Sequence, residues 1–401
     1  MSRKRLFFIG IPETHVKRTL SRCKKLGYEI ILGDTKNNLK LHADRIVDAD
    51  RLVITDFRDE KNLRDVTCSL QEESPLDAIF TFKEFGLINT SKLLHEYGLR
   101  GNPTEVINSC NNKFTTRNLL REAGLLSPDY ELCESLEDAK KLLKRIEGPI
   151  IIKPHNLQGS IGVYKVEQEE DLQVLYEKCL THCNEPIVMA EEFIVGQEVS
   201  IEAIVYRGKA IIFGVTEKLL YPGTFVEAGH ISPYAGTEMS REEYTKLVER
   251  IVGAMKIQMG PLHIEGFHTE KGFYVGEVHT RYGGDNITTL TELALKCDMT
   301  SPIFAELGDI PYNIEFGQPQ EVAAIRFLYV PPGKVEVIEI GQLTEIIGVM
   351  DFEITCKIGD EIVPIRSNFD RVGWVLVKGA NREETLDILE KVSQQILIRT
   401  V

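Results

Sequence analysis

The amino-acid sequence predicts a mixed fold, with a parallel α/β sheet at the amino-terminal end and an α+β arrangement at the carboxy-terminal end. Two observations support this prediction. Over about the first 110 residues, short apolar runs alternate with amphipathic helical stretches, which is the pattern of a parallel sheet with crossover helices. From about residue 320, strand-like runs precede one long helical stretch without that alternation. A chain of 401 residues is long enough for two or three domains.

The individual elements are predicted from hydrophobic periodicity, in chain order. In the first part the predicted strands are Leu6–Ile11, Tyr28–Leu32 and Ala78–Phe82, and the predicted helices are His15–Leu26 and Ile88–His95. In the middle part the predicted helices are Asn111–Glu122, Leu136–Ile146 and Asp171–Cys179, and the predicted strands are Ile150–Lys153, Ile187–Phe193, Val199–Val205 and Ala210–Val215. The last predicted elements are the strands Val322–Val330, Val335–Ile340 and Trp374–Lys378 and a closing helix, Arg382–Ile396.

Composition and charge exclude several classes of protein. The chain is 27% charged and 43% hydrophobic, which is typical of a globular protein in water. A net charge of −14 argues against nucleic acid as a partner. No apolar run approaches the length of a membrane span, and the run after Arg3-Lys4-Arg5 is too short for a signal peptide. Eight cysteines without a Cys-x-x-Cys motif favour a reducing cytoplasm.

A predicted β-hairpin is the central feature of the sequence. The apolar runs Leu262–His268 and Phe273–His279 flank the turn Glu270-Lys271-Gly272. A three-residue hairpin loop with glycine in the last position combines a type I turn with a left-handed residue. In that register Glu265 is directly opposite Glu277, and both side chains point to the same face of the hairpin.

The same register places His263 opposite His279, again on the face of the two glutamates. Two directly opposed carboxylates repel each other, so a hairpin that carries them requires a compensating charge. Mg²⁺ is usually held by one or two carboxylates together with nucleotide phosphates. The alternative is an exposed hairpin whose glutamates point to water. The metal interpretation is favoured because Arg281-Tyr-Gly-Gly follows directly, with an arginine and two permissive glycines.

A lysine followed by a glycine loop is the second candidate motif. Lys153 ends a predicted strand, and the loop Gln158–Gly162 contains Gly159, Ser160 and Gly162. Backbone N–H groups of such a loop can contact phosphate oxygens while the lysine supplies a positive charge. Taken alone, an ordinary turn is the commoner explanation. Lys113 is equally ambiguous alone, because lysines are common on helix surfaces.

A strand that runs into a glycine bend is the third motif. Backbone groups at such a strand end can hydrogen-bond the edge of an adenine, and Glu198 can accept from two ribose hydroxyls. Without further context, an acidic strand end in water is the simpler interpretation. The residues of this strand end are Glu191, Glu192, Phe193 and Ile194.

Taken together and in this order, the three motifs resemble those of the ATP-grasp superfamily. The resemblance covers roughly residues 5–300 and implies ATP and Mg²⁺ as cofactors. It implies four regions: an amino-terminal α/β domain (1–111), a lid with connecting helices (112–195), the ATP-grasp catalytic core (196–310) and a C-terminal α+β subdomain (311–401). It implies that Lys113 and Lys153 bind phosphates, that the glycine loop covers them, and that Arg281 binds the reacting carboxylate. It further implies nucleoside contacts from Glu191–Ile194 and Glu198, and metal contacts from Glu265 and Glu277.

One position departs from the family pattern. The second metal glutamate usually begins the pattern Glu-x-Asn-x-Arg, whereas this chain has Glu277-Val-His279-Thr-Arg281. The asparagine normally completes the second metal site, and imidazole suits softer metals than Mg²⁺. His279 is therefore a candidate ligand, with Mn²⁺ as the alternative metal. Two other interpretations stay open: His279 orients a carboxylate or contacts substrate, or it is a spectator without a role in the site.

A closer resemblance concerns the substrate segment. Thr216-Glu217-Lys218, Phe225–His230 and Ser232-Pro233 are similar to segments of bacterial L-amino-acid ligases, which join two amino acids into a dipeptide. The resemblance implies catalytic roles for Lys218, Glu227 and His230 beside Arg281, and amino acids as substrates. It is compatible with a homodimer. Two alternatives stay open: a ligase that loads an amino acid onto a carrier protein or another amine, and an ATP-dependent phosphotransferase.

Overall fold

The computed structural model describes residues 3–12, 15–155, 159–316 and 321–401, and all structural statements below concern these residues. The strands are β1 (Lys4–Ile9), β2 (Tyr28–Asp34), β3 (Arg51–Ile54), β4 (Ala78–Thr81), β5 (Tyr130–Cys133), β6 (Ile150–Pro154), β7 (Tyr164–Val166), β8 (Val188–Glu192), β9 (Gln197–Tyr206), β10 (Lys209–Leu220), β11 (Glu227–Ser232), β12 (Gly260–Thr269), β13 (Gly272–His279), β14 (Val322–Leu328), β15 (Gly333–Ile340), β16 (Val349–Ile354), β17 (Glu361–Ile362), β18 (Gly373–Gly379) and β19 (Ile396–Thr400). The helices are α1 (Val16–Lys25), α2 (Lys36–Leu41), α3 (Glu60–Glu73), α4 (Leu87–Glu96), α5 (Thr104–Asn111), α6 (Lys113–Glu122), α7 (Leu136–Ile146), α8 (Glu169–Leu180), α9 (Arg241–Met255), α10 (Ile287–Leu295), α11 (Ser301–Leu307) and α12 (Arg382–Ser393).

The amino-terminal part forms the predicted parallel sheet. Its strand order is β3-β2-β1-β4, and all three pairings are parallel. The side chains of β1 are buried on both faces: Leu6 and Phe8 belong to one core cluster, Phe7 and Ile9 to another. A parallel strand that is covered on both faces reads as a continuous apolar run, which is why the sequence revealed it.

A smaller antiparallel sheet follows, in the order β5-β8-β6-β7. Helices α7 and α8 cover one of its faces, where Leu142 and Leu172 pack on Ile150 and Ile152. A capping box at Ser135 begins α7. The other face of this sheet carries Lys153 and the end of β8 toward the rest of the molecule.

The largest sheet has eight antiparallel strands in the order β13-β12-β9-β10-β11-β14-β18-β16. Strands from both sides of the predicted boundary at residue 310 join this one sheet, and the domain boundaries themselves stay predictions. A three-stranded sheet, β17-β15-β19, completes the fold. The predicted closing helix is wrong at its end: α12 stops at Ser393, and Ile396–Thr400 forms β19, which pairs with β15. Within the described residues, none of the helices combines the length and the apolar character that crossing a bilayer would take.

The central hairpin has the predicted register but not the predicted loop. Glu265 pairs with Glu277 and His263 pairs with His279. The loop is Glu270-Lys271, because Thr269 already pairs with Gly272. A register shift between Glu265 and Gly266 compensates for the shorter loop. A bulge of this kind re-aims side chains, and here it restores the opposition of the two glutamates.

Candidate functional site

A cavity of about 1060 Å³ lies between the small antiparallel sheet and the eight-stranded sheet. Most of the residues singled out from the sequence line it: Lys113, Lys153, Gly159, Ser160, Glu191, Glu192, Phe193, Ile194, Glu198, Lys218, Glu227, Glu265, Glu277, His279 and Arg281. Two of the predicted site residues, Gly162 and His230, are not among the described residues that line this cavity. Gly162 packs against the ring of His182, and His230 is buried behind Glu227. Gln158 lies outside the described residues.

Each glutamate of the hairpin has its own histidine. His263 Nε2 lies 3.1 Å from Glu265 Oε1, and His279 Nε2 lies 3.1 Å from Glu277 Oε2. The two rings are stacked, with their planes 27° apart and their centroids 5.9 Å apart. His279 therefore contacts the Glu277 carboxylate in this structure, and the roles predicted for it stay predictions.

Lys218 on β10 stands among three carboxylates. Its ammonium lies 2.6 Å from Glu265, 2.8 Å from Glu198 and 3.1 Å from Glu227. Burial alone would lower the pKa of Lys218, but the three carboxylates outweigh burial and raise it well above its usual value. Burial would likewise raise the pKa of Glu265, whereas Lys218 and His263 hold it well below its usual range. Lys218 and His263 together face three carboxylates, so this end of the cavity stays negative, which favours binding of a further cation.

The two lysines predicted to bind phosphates are paired with carboxylates in this structure. Lys153 lies 2.5 Å from Glu191, and Lys113 lies 3.4 Å from Glu277. Burial would raise the pKa of Glu277, but Lys113 and His279 lower it well below its usual range. Both lysines line the cavity, so a phosphate that enters it meets them there.

Glu191 is bound more firmly than the sequence indicated. Its carboxylate accepts from Arg117 Nε at 2.9 Å, and Arg117 is 2% exposed. Arg117 also donates to the carbonyl of Gly276, at the bulge of the hairpin. The predicted adenine contact of Glu191 is thus left to its backbone, because its side chain is occupied by Arg117 and Lys153. Sequence reasoning missed Arg117, which reads as an ordinary helical arginine.

The amino-terminal domain contributes Glu84, which sequence reasoning also missed. Glu84 Oε2 lies 2.7 Å from Arg281 Nε, and Glu84 Oε1 lies 3.7 Å from His279 Nδ1. The residue follows β4, at the carboxyl edge of the parallel sheet. Ligands of α/β proteins bind at that edge, so a carboxylate just after β4 was the available signal.

A second group of charged residues lies at the β11 end of the cavity. Glu227, His230 and Asp285 offer three atoms that all lie within 4.8 Å of one another. His230 Nε2 is 3.8 Å from Glu227 and 3.9 Å from Asp285, and it has no hydrogen-bond partner in the structure. Arg371 binds Asp285 through two hydrogen bonds of 2.8 and 2.9 Å. Asp285 directly follows the Arg281-Tyr-Gly-Gly motif but was not singled out, and Arg371 was missed because it lies 86 positions further along the chain.

These three groups can bind an ammonium, because two carboxylates and a ring nitrogen can all accept hydrogen bonds and an ammonium only donates them. Burial raises the pKa of Glu227, although Lys218 and His230 oppose the shift. Arg371 contacts Asp285 and Lys218 contacts Glu227, so each carboxylate has one cationic partner and can still accept from a positively charged ligand.

The glycine loop is held by the carboxy-terminal part of the chain. Gly159, Ser160 and Gly162 all have positive φ angles of 61–69°, which glycine adopts without strain. The N–H of Asn368 donates to the Gly159 carbonyl at 3.1 Å, and the ring of Phe369 packs on Gly159. The hydroxyl of Ser160 donates to the carbonyl of Phe225 at 2.7 Å. The loop thus closes one wall of the cavity.

The hairpin carboxylates fit the metal that the sequence resemblance implies. Glu265 and Glu277 are opposed, both line the cavity, and both are held ionised by neighbouring cations. Hard oxygen ligands of this kind suit Mg²⁺ or Mn²⁺. His279 Nε2 is engaged with Glu277, so metal ligation by His279 would require that contact to be exchanged.

Comparison with known proteins supports the same fold. A family model described as an ATP-grasp domain matches residues 146–289, and one described as L-amino acid ligase C-terminal domain 2 matches residues 326–401. The structure of L-amino acid ligase from Bacillus licheniformis superposes with a TM-score of 0.81 at 23% identity, covering 100% of both chains. Phosphoribosylglycinamide synthetase from Anaerococcus prevotii gives a TM-score of 0.76 at 18% identity, covering 99% of this chain and 100% of that one.

Among curated proteins, uncharacterized protein y4rH of Sinorhizobium fredii is 26% identical over 313 residues. The match covers 76% of this chain and 64% of y4rH, so the chain spans less than two thirds of that relative. The structural likenesses, at these identities, show the fold. Together with the matched domains they confirm the resemblance found in the sequence: the chain has the ATP-grasp fold, carries a matched ATP-grasp domain, and is similar to L-amino acid ligases.

Proposed function

We propose that this protein is an ATP-dependent ligase that joins the carboxylate of one amino acid to an amine, with a second amino acid as the amine and a dipeptide as the product. A carboxylate does not react with an amine at neutral pH, because oxide is a very poor leaving group. Transfer of the γ-phosphoryl group of ATP to the carboxylate forms an acyl phosphate and ADP. Attack by the amine then releases phosphate and forms the amide.

The observation that carries this proposal is the composition of a single cavity. At one end are two lysines and two opposed glutamates that suit the phosphates of ATP and a divalent cation. At the other end is a group of three acceptors, two carboxylates and a ring nitrogen, that can bind an ammonium. Arg281 lines the same cavity and can bind a carboxylate. An amino acid presents that ammonium and carboxylate together.

In the nucleotide half, Lys113 and Lys153 exchange their carboxylate partners for phosphate oxygens. The backbone at the end of β8, residues 192–194, faces the adenine, and Glu198 accepts from the ribose. Glu265 and Glu277 would hold a divalent cation, which would neutralise charge on the transferred phosphoryl group. His279 supports Glu277 in this arrangement and is the candidate third ligand, with Mn²⁺ as the alternative metal.

In the amino-acid half, Glu227 accepts from the α-ammonium together with His230, whose Nε2 has no other partner. Arg281 binds the reacting carboxylate and then the oxyanion that forms when the amine attacks. Lys218 lies between the two halves and holds Glu198, Glu227 and Glu265 in place. The glycine loop excludes water, which would otherwise hydrolyse the acyl phosphate.

The experiment that tests this function combines two variants with a phosphate assay. Phosphate release from ATP is measured with single and paired L-amino acids, and the products are identified by mass. Glu227→Ala and His230→Ala should raise the KM for the activated amino acid or lower kcat. Glu242→Ala, an exposed site on α9, is the control. Wild-type kcat and KM in both site variants would disprove their role.

The same assay separates the alternatives. A loader of carrier proteins would release phosphate with one amino acid and give no dipeptide. A kinase reaction would leave the phosphate on the product instead of releasing it in an amine-dependent way. Each outcome assigns the ATP site to a different reaction class.

A further inference from the structure

A fully buried carboxylate, that of Glu202, lies beside the histidine that contacts Glu265. Glu202 on β9 is 0% exposed. Its Oε1 lies 2.6 Å from His263 Nδ1, while its Oε2 has no hydrogen-bond partner in the structure. Burying a carboxylate with one oxygen unsatisfied costs free energy. A residue that only filled the interior of the sheet would carry no charge.

The position of Glu202 follows from strand register. Glu202 pairs directly with His263, which pairs directly with His279, so the three side chains form one row across β9, β12 and β13. Glu265 and Glu277 form part of the next row on the same face. A Cβ atom on Gly283 would lie 2.9 Å from His263 Nδ1 and 3.1 Å from Glu202 Oε2. Gly283 therefore lets the backbone close tightly over the pair.

His263 connects this buried carboxylate to the cavity. Its Nδ1 faces Glu202 and its Nε2 faces Glu265 at 3.1 Å. Both carboxylates can only accept, so both nitrogens of His263 donate. The other histidine is held less tightly, since His279 Nδ1 is 3.7 Å from Glu84 and makes no hydrogen bond. His263 is thus held from both sides, by Glu202 and Glu265, whereas among the described residues His279 has a hydrogen-bond contact only to Glu277.

We propose that Glu202 is a positioning residue for the metal site: it fixes the ring of His263, which in turn holds the Glu265 carboxylate facing Glu277. Buried carboxylates commonly orient the histidines of metal sites in this way, and their loss lowers metal affinity. Here the histidine orients a ligand carboxylate in place of binding the ion itself. This inference rests on the proposed metal role of Glu265 and not on the identity of the amino acids or the product.

The test uses ADP binding, measured by titration calorimetry on the full chain with Mg²⁺, with Mn²⁺ and with a chelator. The ratio of the affinity with metal to the affinity without it reports how well the protein holds the ion. Glu202→Gln keeps the shape of the side chain and should reduce this ratio by about 10–100-fold. The affinity for metal-free ADP should not change. Glu306→Gln, at another buried carboxylate that binds a backbone N–H far from the cavity, should leave both quantities unchanged.

A second variant protects the inference against a folding defect. His263→Asn should reduce the ratio at least as much as Glu202→Gln, and the double variant should be no worse than His263→Asn alone, because both act through one ring. An unchanged ratio in Glu202→Gln, or additive losses in the double variant, would overturn the proposal. If the affinity of the wild-type chain for ADP were the same with and without metal, the proposed metal role of Glu265 would be wrong, and this inference would be wrong as well. If the ratio behaves as expected but no ligation occurs, the positioning role stands and the proposed reaction fails.

Discussion

Arg117→Met is the substitution that tests most sharply how the small sheet is joined to the hairpin. The guanidinium of Arg117 donates to Glu191 at 2.8 and 2.9 Å and to the Gly276 carbonyl. Methionine keeps most of the apolar stem but removes all of these donors. Glu191 is then left in a buried position with Lys153 as its remaining partner.

The expected cost is large because the pair is buried. Removing one partner of a buried ion pair typically costs about 3–5 kcal/mol, since the other charge stays in a poorly hydrated environment. Arg121→Met is the matched control on the same helix. Arg121 is 56% exposed in its side chain and lies 3.3 Å from Asp129, so its loss should cost less than about 1 kcal/mol.

The assay is urea unfolding followed by fluorescence and circular dichroism, comparing transitions of wild type and the two variants. Burial would raise the pKa of Glu191, but Arg117 and Lys153 outweigh burial and lower it. The stability that Glu191 contributes is therefore present above its ordinary pKa of 4.5 and is lost as pH falls through the lowered value. The difference between wild type and Arg117→Met should be full at pH 7 and shrink below pH 4.5. A cost no larger than that of Arg121→Met would refute this reasoning.

Three further predictions concern activity. Glu84→Gln weakens the 2.7 Å contact that orients Arg281, so the KM for the activated carboxylate should rise about tenfold. The affinity for ADP with Mg²⁺ should stay unchanged. Steady-state kinetics and ADP-binding isotherms on one preparation check the two quantities. Phe369→Ala removes the ring that packs on Gly159, so more phosphate should be released per amide formed, which phosphate and product assays on one sample measure. Glu227 must be ionised to bind an ammonium, and burial raises its pKa. As the pH is lowered, activity should therefore be lost at a higher pH than an ordinary carboxylate would give, which a pH profile of kcat/KM checks.

Controls and contrary outcomes differ for the three. Ile347→Ala, at a 92% exposed site in the same C-terminal part, should leave the ratio of phosphate to amide unchanged. Equal uncoupling in Ile347→Ala and Phe369→Ala would remove the role of the ring. A loss of Mg²⁺-dependent ADP affinity in Glu84→Gln would mean that Glu84 supports the metal site in place of Arg281. An acid limb unchanged by Glu227→Gln would assign that limb to another group.

The hairpin shows how far local pattern carries. The opposition of Glu265 and Glu277 was predicted correctly, although the loop was taken as one residue too long. The error was cancelled by the register shift at Gly266, which a glycine-rich strand permits and which alternation of side chains does not reveal. Buried parallel strands such as β1 were equally accessible, because their apolar runs are continuous.

The missing parts of the site are those contributed from a distance. Glu84 lies 197 positions from Arg281, and Arg371 lies 86 positions from Asp285. Each is an unremarkable charged residue in its own segment, and its role depends on which strand ends and turns the fold brings together. Glu202 is similar, since its alternation in β9 gives no sign that it pairs with His263. The end of α12 was misjudged for a related reason: the apolar residues of β19 continue the pattern of the helix.

The most direct test of the account as a whole is amine-dependent phosphate release with mass analysis of the product. ATP, Mg²⁺ and the wild-type chain are incubated with all single and paired L-amino acids. The account predicts phosphate release that requires a particular pair, with one amide formed for each phosphate and a mass equal to the two amino acids less one water. Release of phosphate that is independent of any amine, or transfer of phosphate to a stable product without an amide, would contradict it.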